Sequence, residues 1–316
     1  MEKLLVICGP TGTGKTELAL KLAKKFNGEL VSADSRQVYV GMDIGTGKEV
    51  KSSELRVKSE GGKWVVNDIP IYLYDVVKPD RRFSLAEYQQ LALEKINDIH
   101  SRNKLPILVG GTGLYIQAVT EGLKIPKAPP DQKLRAGLEE QGLDKLLTEL
   151  EKVDPATYER VDKNNKRRVV RALEVFHQTG ETFSSLQKKY KVDFDVLKIG
   201  LTTEREALYE RNDQRVESWF KVGFVEEVKN LLKGYPLDLP AMSSIGYQQA
   251  VRYINGSLGL EEAKQRVKFA VHGYIRRQLT WFKRDKTIYW YDIREESFNN
   301  EVAQLVGSFL ENKDVH

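Results

Sequence analysis

Between a short apolar run and a stretch of helical periodicity the chain reads Gly9-Pro10-Thr11-Gly12-Thr13-Gly14-Lys15-Thr16, which fits G-x-x-x-x-G-K-[ST]. Glycines so placed let the backbone wrap an anion, with several N–H groups and a helix N-terminus pointing at it. Lys15 adds a point charge and Thr16 a hydroxyl suited to Mg²⁺. The pattern specifies a polyphosphate rather than a reaction. ATP in a kinase fits, and so does any diphosphate, including one that departs as pyrophosphate. A motor or switch NTPase usually holds Mg²⁺ through an acid ending another strand, yet Leu105–Val109 runs into Gly110-Gly111-Thr112-Gly113 without one. The nearest acid is Asp34, in Ser32-Ala33-Asp34-Ser35-Arg36-Gln37 after a second apolar run. It is either a helix-cap or turn aspartate or a carboxylate facing the phosphate loop, able to take a proton from a nucleophile attacking the bound ester. Arg211 and Arg215, four apart in a helical stretch, share one face; they suit a clamp on phosphate or a solvated surface.

The elements that position these groups follow from the apolar pattern. Leu4–Cys8, Glu29–Ala33, a stretch near Ile69–Val77 and Leu105–Val109 read as strands, and Thr16–Phe26 as a helix. Ser84-Leu85-Ala86-Glu87 is a capping box that opens a helix to about His100. Residues 51–68 read as a loop or hairpin. This alternation predicts an α/β fold, a P-loop NTPase-like parallel sheet flanked by helices. From about Gly122 the pattern changes: Pro126, Pro129 and Pro130 break the chain, and helical periods follow without a strand until Val196–Leu201. The expected organisation is a core of residues 1–122 and 197–316 with an all-helical insertion at 123–196. Helices are expected near 204–219, 222–233, 247–254 and 260–283, a loop at 235–246, and a strand at Thr287–Tyr291.

The composition of the 316 residues is that of an ordinary globular protein, with 41% apolar and 30% charged types. No apolar run reaches the ~20 residues that cross a bilayer, and the opening run is too short for a signal peptide. A cytoplasmic protein with no membrane partner and no obligate protein partner is expected. The single cysteine, Cys8, excludes an intramolecular disulfide, and His100, His177, His272 and His316 have no zinc-ligand spacing. The net charge of +5 decides little, but its distribution does more. Lys163–Arg171 holds five basic residues and no acid, and Lys264–Lys286 eight basic residues and one acid, interleaved with Phe269, Tyr274, Trp281 and Phe282. Such stretches suit a phosphate backbone with unstacked bases or the solvated faces of two amphipathic helices.

Taken together, the segments resemble the bacterial tRNA dimethylallyltransferases, also called tRNA isopentenyltransferases. The resemblance spans nearly the whole chain: G-P-T-G-T-G-K-T at 9, D-S-R-Q-V-Y at 34, G-M-D-I-G-T-G-K at 41, V-G-G-T-G-L-Y at 109, R-R-V-V-R-A-L-E-V at 167, R-V-E-S-W-F-K-V-G-F-V-E-E-V at 215, S-I-G-Y-Q-Q at 244 and R-Q-L-T-W-F-K-R at 277. Gly12 and Gly47 stand where alanine is usual, and Trp219 where methionine is common. The resemblance implies transfer of a dimethylallyl group from dimethylallyl diphosphate to N6 of adenosine 37, beside the tRNA anticodon, releasing diphosphate. It implies a catalytic set of Asp34, Thr11 and Lys15. The diphosphate would lie on residues 9–16, with Arg211 and Arg215 closing over it and Mg²⁺ on Thr16. Contacts to the anticodon stem-loop are implied for Asp34, Ser35, Arg36, Gln37, Thr112, Arg135, Arg167, Arg168 and Arg171. Gln37 has amide groups suited to a base edge. Arg168 and Arg171, three apart, share a helix face that docks on phosphates unless Arg171 pairs with Glu174 and holds helices together. A P-loop kinase of a nucleoside or small metabolite, or an RNA-binding ATPase, are the rival functions; a requirement for an allylic diphosphate separates them.

Overall fold

The computed structural model describes residues 1–48, 57–60, 62–126, 128–186, 190 and 192–312. In chain order the elements are β1 (Glu2–Cys8), α1 (Lys15–Lys25), β2 (Gly28–Ser32), β3 (Val57–Glu60), β4 (Lys63–Val66), β5 (Ile69–Tyr72), α2 (Leu85–Ser101), β6 (Leu105–Gly110) and α3 (Gly113–Thr120). Next come α4 (Gln132–Glu139), α5 (Leu143–Val153), α6 (Pro155–Arg160), α7 (Lys166–Thr179) and α8 (Phe183–Leu186). The chain continues with β7 (Phe194–Thr202), α9 (Arg205–Lys221), α10 (Phe224–Leu232), α11 (Tyr247–Ile254), α12 (Leu260–Phe282), β8 (Ile288–Asp292) and α13 (Phe298–Leu310). Two compact units result, one from Met1–Thr120 with the chain from Asp193 onward, the other from Glu121–Val192.

In the first unit eight strands form one sheet in the order β3-β4-β5-β2-β6-β1-β7-β8. From β5 to β8 neighbours run parallel, while β3 and β4 add an antiparallel hairpin at one edge. Alternate residues of β1 serve opposite faces: Leu5 and Ile7 pack with Leu18 and Leu22 of α1, whereas Leu4, Val6 and Cys8 pack with Tyr88 and Ile96 of α2. Burial on both faces is why these strands read as unbroken apolar runs. The α2 capping box is formed, with Glu87 N–H donating to Ser84 Oγ at 3.2 Å and Ser84 N–H to Glu87 Oε2 at 2.9 Å. Cys8 lies opposite Gly110 and Ser32 opposite Val109, so the segments after β1, β2 and β6 emerge together at one end of the sheet. Open parallel sheets place ligands at that end.

Three details differ from expectation. The strand beginning at Ile69 stops at Tyr72, because Leu73 (φ 67°) and Asp75 (φ 54°) adopt left-handed backbone, where a strand cannot continue. Strand β7 starts at Phe194, opposite Glu2, so the residues just before 197 belong to the core. Helix α13, absent from the sequence reading, seats Val302, Val306 and Phe309 on the α1 side of the sheet; each fully buried side chain of this size contributes about 1.5–3 kcal/mol. The hairpin expected within 51–68 exists at β3–β4, while residues 51–56 and 61 lie outside the described residues, as does His316.

The second unit is helical, with α4 to α8 around Leu138, Leu146, Leu150, Val169, Val170 and Leu173. Asp154 ties it at a corner. Its carboxylate accepts Thr157 N–H (3.1 Å) and the hydroxyls of Thr157 and Ser184 (both 2.6 Å). Among the described residues no helix is long and apolar enough to cross a membrane.

Candidate active site

The segment from Gly9 leaves β1, turns, and enters α1 at Lys15, and no side chain caps the N-terminus of α1. Those N–H groups are therefore available to an anion. Lys15 Nζ donates to Pro10 O at 2.7 Å and Thr13 Oγ1 to the same carbonyl at 2.9 Å, which fixes the turn from inside. Burial lowers the Lys15 ammonium to about 8, with Asp34 opposing the shift. Thr11 is tied at three polar atoms: its N–H donates to Gln278 Oε1 (2.9 Å), its carbonyl accepts Asn212 Nδ2 (3.2 Å), and its hydroxyl accepts Arg215 Nη1 (3.2 Å). Thr11 thus anchors the loop to α9 and α12.

Asp34 follows β2 and lines the same cleft as Lys15, Thr16, Arg211 and Arg215, a space of about 1280 Å³. That exceeds the ~300–1,000 Å³ of an ordinary small-molecule pocket and leaves room for a second substrate group. Asp34 is a turn aspartate, its Oδ1 accepting Arg36 N–H at 2.8 Å, and it also lines the cleft beside the phosphate loop. Burial pushes its carboxyl above the ordinary value despite that hydrogen bond and Lys15. Thr112 Oγ1 accepts Ser35 N–H (3.1 Å), and Tyr274, whose hydroxyl burial pushes up, lines the cleft. Beneath, Tyr88 stacks on Tyr115 with centroids 3.7 Å apart and donates from its hydroxyl to Ser32 O.

Arg36 is half-buried at the cleft, and Gln37 is buried. Arg36 Nη1 donates to Pro240 O at 2.8 Å. Gln37 Oε1 accepts Ser32 Oγ (2.9 Å), and its Nε2 donates to the carbonyls of Thr46 and Gly47 (each 3.4 Å). The Nε2 end of this amide holds residues 44–48, which form one wall of the cleft, while the Oε1 end is held by Ser32. Glu227 of α10 grips the same wall, accepting the backbone N–H groups of Asp43 (3.0 Å), Ile44 (2.7 Å) and Gly45 (3.3 Å) and the Tyr247 hydroxyl (2.6 Å). Lys48, its side chain fully buried, donates to Asp43 (2.8 Å), to Asp75 and to Tyr39 O (2.8 Å).

The two glycines that depart from the family pattern both abut α9. A Cβ on Gly12 (φ +83°) would lie 2.3 Å from Asn212 Nδ2, and one on Gly47 (φ +66°) 1.7 Å from Arg215 Nη2. Asn212 and Arg215 thus reach Thr11 through space that only glycine leaves open.

Sequence reading missed Asn212, Glu227, Gln278 and Lys48. Two of them carried a signal. Asn212 interrupts the buried stripe Leu208, Val216 on α9, and Gln278 the stripe Val271, Ile275, Phe282 on α12; a polar residue in a buried stripe must find a partner.

In the helical unit, Arg167 and Arg168 are exposed and make no side-chain ion pair among the described residues. Arg171 does pair with Glu174, at 2.6 Å, and Arg135 meets the same carboxylate through Nε and Nη2, both at 2.8 Å.

A family model described as IPP transferase matches residues 37–285, and one described as isopentenyl transferase matches residues 2–67. The tRNA dimethylallyltransferase of Dehalococcoides mccartyi is 45% identical over 316 residues, spanning 98% of this chain and 93% of that protein. The crystal structure of the full-length tRNA isopentenylpyrophosphate transferase of Bacillus halodurans superposes with a TM-score of 0.72 at 36% identity, over 99% of this chain and 98% of that one. A eukaryotic dimethylallyltransferase acting on tRNA gives a TM-score of 0.84 at 27% identity, over 100% of this chain and 81% of that one.

Proposed function

Since the chain belongs to the IPP transferase family, we propose that it transfers the dimethylallyl group of dimethylallyl diphosphate to N6 of adenosine 37 in tRNA. The observation that carries this reading is the cleft itself: a half-buried carboxylate held above its ordinary pKa, Asp34, shares with Lys15 and two arginines a space larger than one small ligand needs. The adenine amine is a weak nucleophile because its lone pair is delocalised into the ring. As the N6–carbon bond forms and the allylic C–O bond breaks, Asp34 takes the amine proton and the diphosphate leaves with the C–O electrons. A carboxyl raised by burial is a stronger base than an exposed one. Charge on the leaving diphosphate meets the loop N–H groups, Lys15, Arg211 and Arg215. Losing one such donor typically costs on the order of 10²–10³ in rate.

The residues present fit Mg²⁺. The cleft offers the Thr16 hydroxyl with the carboxylates of Glu17 and Asp34, and no cluster of three His, Cys, Asp or Glu exists among the described residues. That sparse donor set suits an ion that keeps waters and binds mainly through substrate phosphates. When bound, Mg²⁺ neutralises charge on the diphosphate, and Thr16 is the residue that would hold it.

The acceptor base must leave its stack to enter the cleft. Asp34, Ser35, Arg36, Gln37 and Thr112 are assigned to that nucleotide; Arg36 and Gln37 line the cleft and also hold the Pro240 carbonyl and the 44–48 wall. Arg135, Arg167, Arg168 and Arg171 are assigned to the anticodon stem-loop.

The test is incubation with dimethylallyl diphosphate and an anticodon stem-loop, followed by weighing the RNA. One dimethylallyl group should be gained without ATP, and Asp34→Asn should lower turnover by about 10²-fold with donor and RNA binding retained. ATP-dependent phosphorylation of a small molecule with no gain on RNA would favour the kinase, and unchanged turnover in Asp34→Asn would dismiss it as the base.

A further inference from the structure

We propose that Glu174 is a positioning residue that holds Arg135 and Arg171 as a preformed clamp for an RNA backbone phosphate. This rests on the functional reading above and adds to it the device that readies two arginines before RNA arrives.

Glu174 lies on α7 with its side chain fully buried. Its Oε1 accepts Asp131 N–H and Arg135 Nε, each at 2.8 Å, and its Oε2 accepts Arg135 Nη2 (2.8 Å) and Arg171 Nη1 (2.6 Å). Arg171 Nη2 donates further to Ala128 O at 2.9 Å. Both planes are thereby fixed, that of Arg135 on α4 to Glu174 of α7, and that of Arg171 to Glu174 and to the segment that precedes α4. Burial would push the Glu174 carboxyl up, but the bonds from Arg135 and Arg171 hold it below its ordinary value, so it stays charged.

The charge count does not close within the cluster. Two guanidinium groups share one carboxylate, and one positive charge is left over. Each arginine side chain is 29% exposed, so that excess faces solvent. A buried acid that served only to join helices would need one arginine; a second, uncompensated cation costs desolvation without a partner. Each guanidinium donates two hydrogen bonds here from its five N–H groups, and the planar fork that remains matches phosphate oxygens. Asp131, whose own N–H donates to Glu174, caps α4, its Oδ1 accepting the N–H groups of Lys133 (2.9 Å) and Leu134 (3.0 Å), and it makes no ion pair with either arginine among the described residues. Lys133, Arg167 and Arg168 add exposed positive charge on the same two helices.

Glu174→Gln separates positioning from charge. The substitution raises the net charge by one, so attraction alone predicts tighter RNA binding. Loss of positioning predicts the opposite: affinity for an anticodon stem-loop falls about tenfold at constant salt, with binding of dimethylallyl diphosphate unchanged. Since that variant can unfold the helical unit, Arg135→Lys with Arg171→Lys is measured beside it, keeping every charge and Glu174 itself while removing the forks. It should lose RNA affinity to a similar extent at a wild-type salt slope. Equal or tighter RNA binding by folded Glu174→Gln, or wild-type affinity in the double lysine variant, overturns the proposal. If the wild-type protein binds no stem-loop at all, the functional reading falls and takes the proposal with it.

Discussion

Replacing Gln278 by leucine keeps the bulk and removes two hydrogen bonds that join distant parts of the site. Oε1 of Gln278 accepts Thr11 N–H and its Nε2 donates to Gly111 O, both at 2.9 Å, and the residue is 4% exposed. A buried polar group deprived of its partner costs about 1–3 kcal/mol. Gly111 O loses its partner in the interior, whereas Thr11 N–H borders the cleft and can turn to water. The expected loss is therefore about 2 kcal/mol, near the lower end for two groups. In a unit of this size that lowers the melting temperature by roughly 4–8 °C. Thr11 keeps its bonds to Asn212 and Arg215, so the loop should loosen rather than collapse. The KM for dimethylallyl diphosphate should rise while the affinity for RNA holds. Thermal melting with and without inorganic diphosphate, and steady-state kinetics in the donor, read both effects. Wild-type melting together with a wild-type donor KM would refute the reasoning, because it would mean that the bridge carries no free energy.

Two further outcomes follow from charge. Lys15 must be protonated to meet a diphosphate, and burial has brought it down to about 8, so kcat/KM for the donor should fall as pH rises through about 8; Lys15→Ala should lower donor affinity and abolish that alkaline limb. Glu29 is 2% exposed, and although burial pushes its carboxyl up, hydrogen bonds from Arg102, Lys104 and Tyr72 hold it at about 2 against an ordinary 4.5. A depressed carboxylate stabilises the fold fully above its unfolded value and loses that contribution as pH falls through the folded one; a shift of between two and three units is worth about 3 kcal/mol. Denaturation series between pH 5 and pH 2 should show the loss in the wild type and a flatter curve in Glu29→Gln.

What the sequence discloses is what neighbours along the chain determine. Leu4–Cys8 and Leu105–Val109 reveal themselves because burial on both faces leaves no polar alternation, and Ser84 with Glu87 marks a helix start because the reciprocal bond spans three residues. Asp34 and the loop at 9–16 were legible from their places after strands. Partnerships across the chain were not. Thr11 and Gln278 are 267 positions apart, and no spacing rule foretells that a glutamine on a basic helix will take the N–H of a phosphate-loop residue. The same blindness hid Glu227, whose carboxylate holds a wall 182–184 positions away. Gln37 reads from the sequence as an amide suited to a base edge; that its side chain also satisfies Ser32 and the carbonyls of Thr46 and Gly47 depends on a segment that no spacing rule brings beside it. Helix α13 escaped because Phe298-Asn299-Asn300-Glu301 opens without a capping side chain to mark its start.

The order in which the sheet is filled has a consequence for synthesis on the ribosome. Strand β1 is made first, yet it lies between β6 and β7, and its partner from β7 begins only at Phe194. At ~5–20 residues per second, the translating ribosome needs roughly 10–40 s to supply that strand. Gln278, which holds the phosphate loop closed, comes later still. During that interval a nascent chain carries the complete motif at 9–16 and no working cradle, with one edge of its most apolar strand unpaired. A transcript broken upstream of α12 would yield a product whose phosphate loop lacks the Gln278 tie and whose β7 edge lacks β8, an open strand edge available to chaperones.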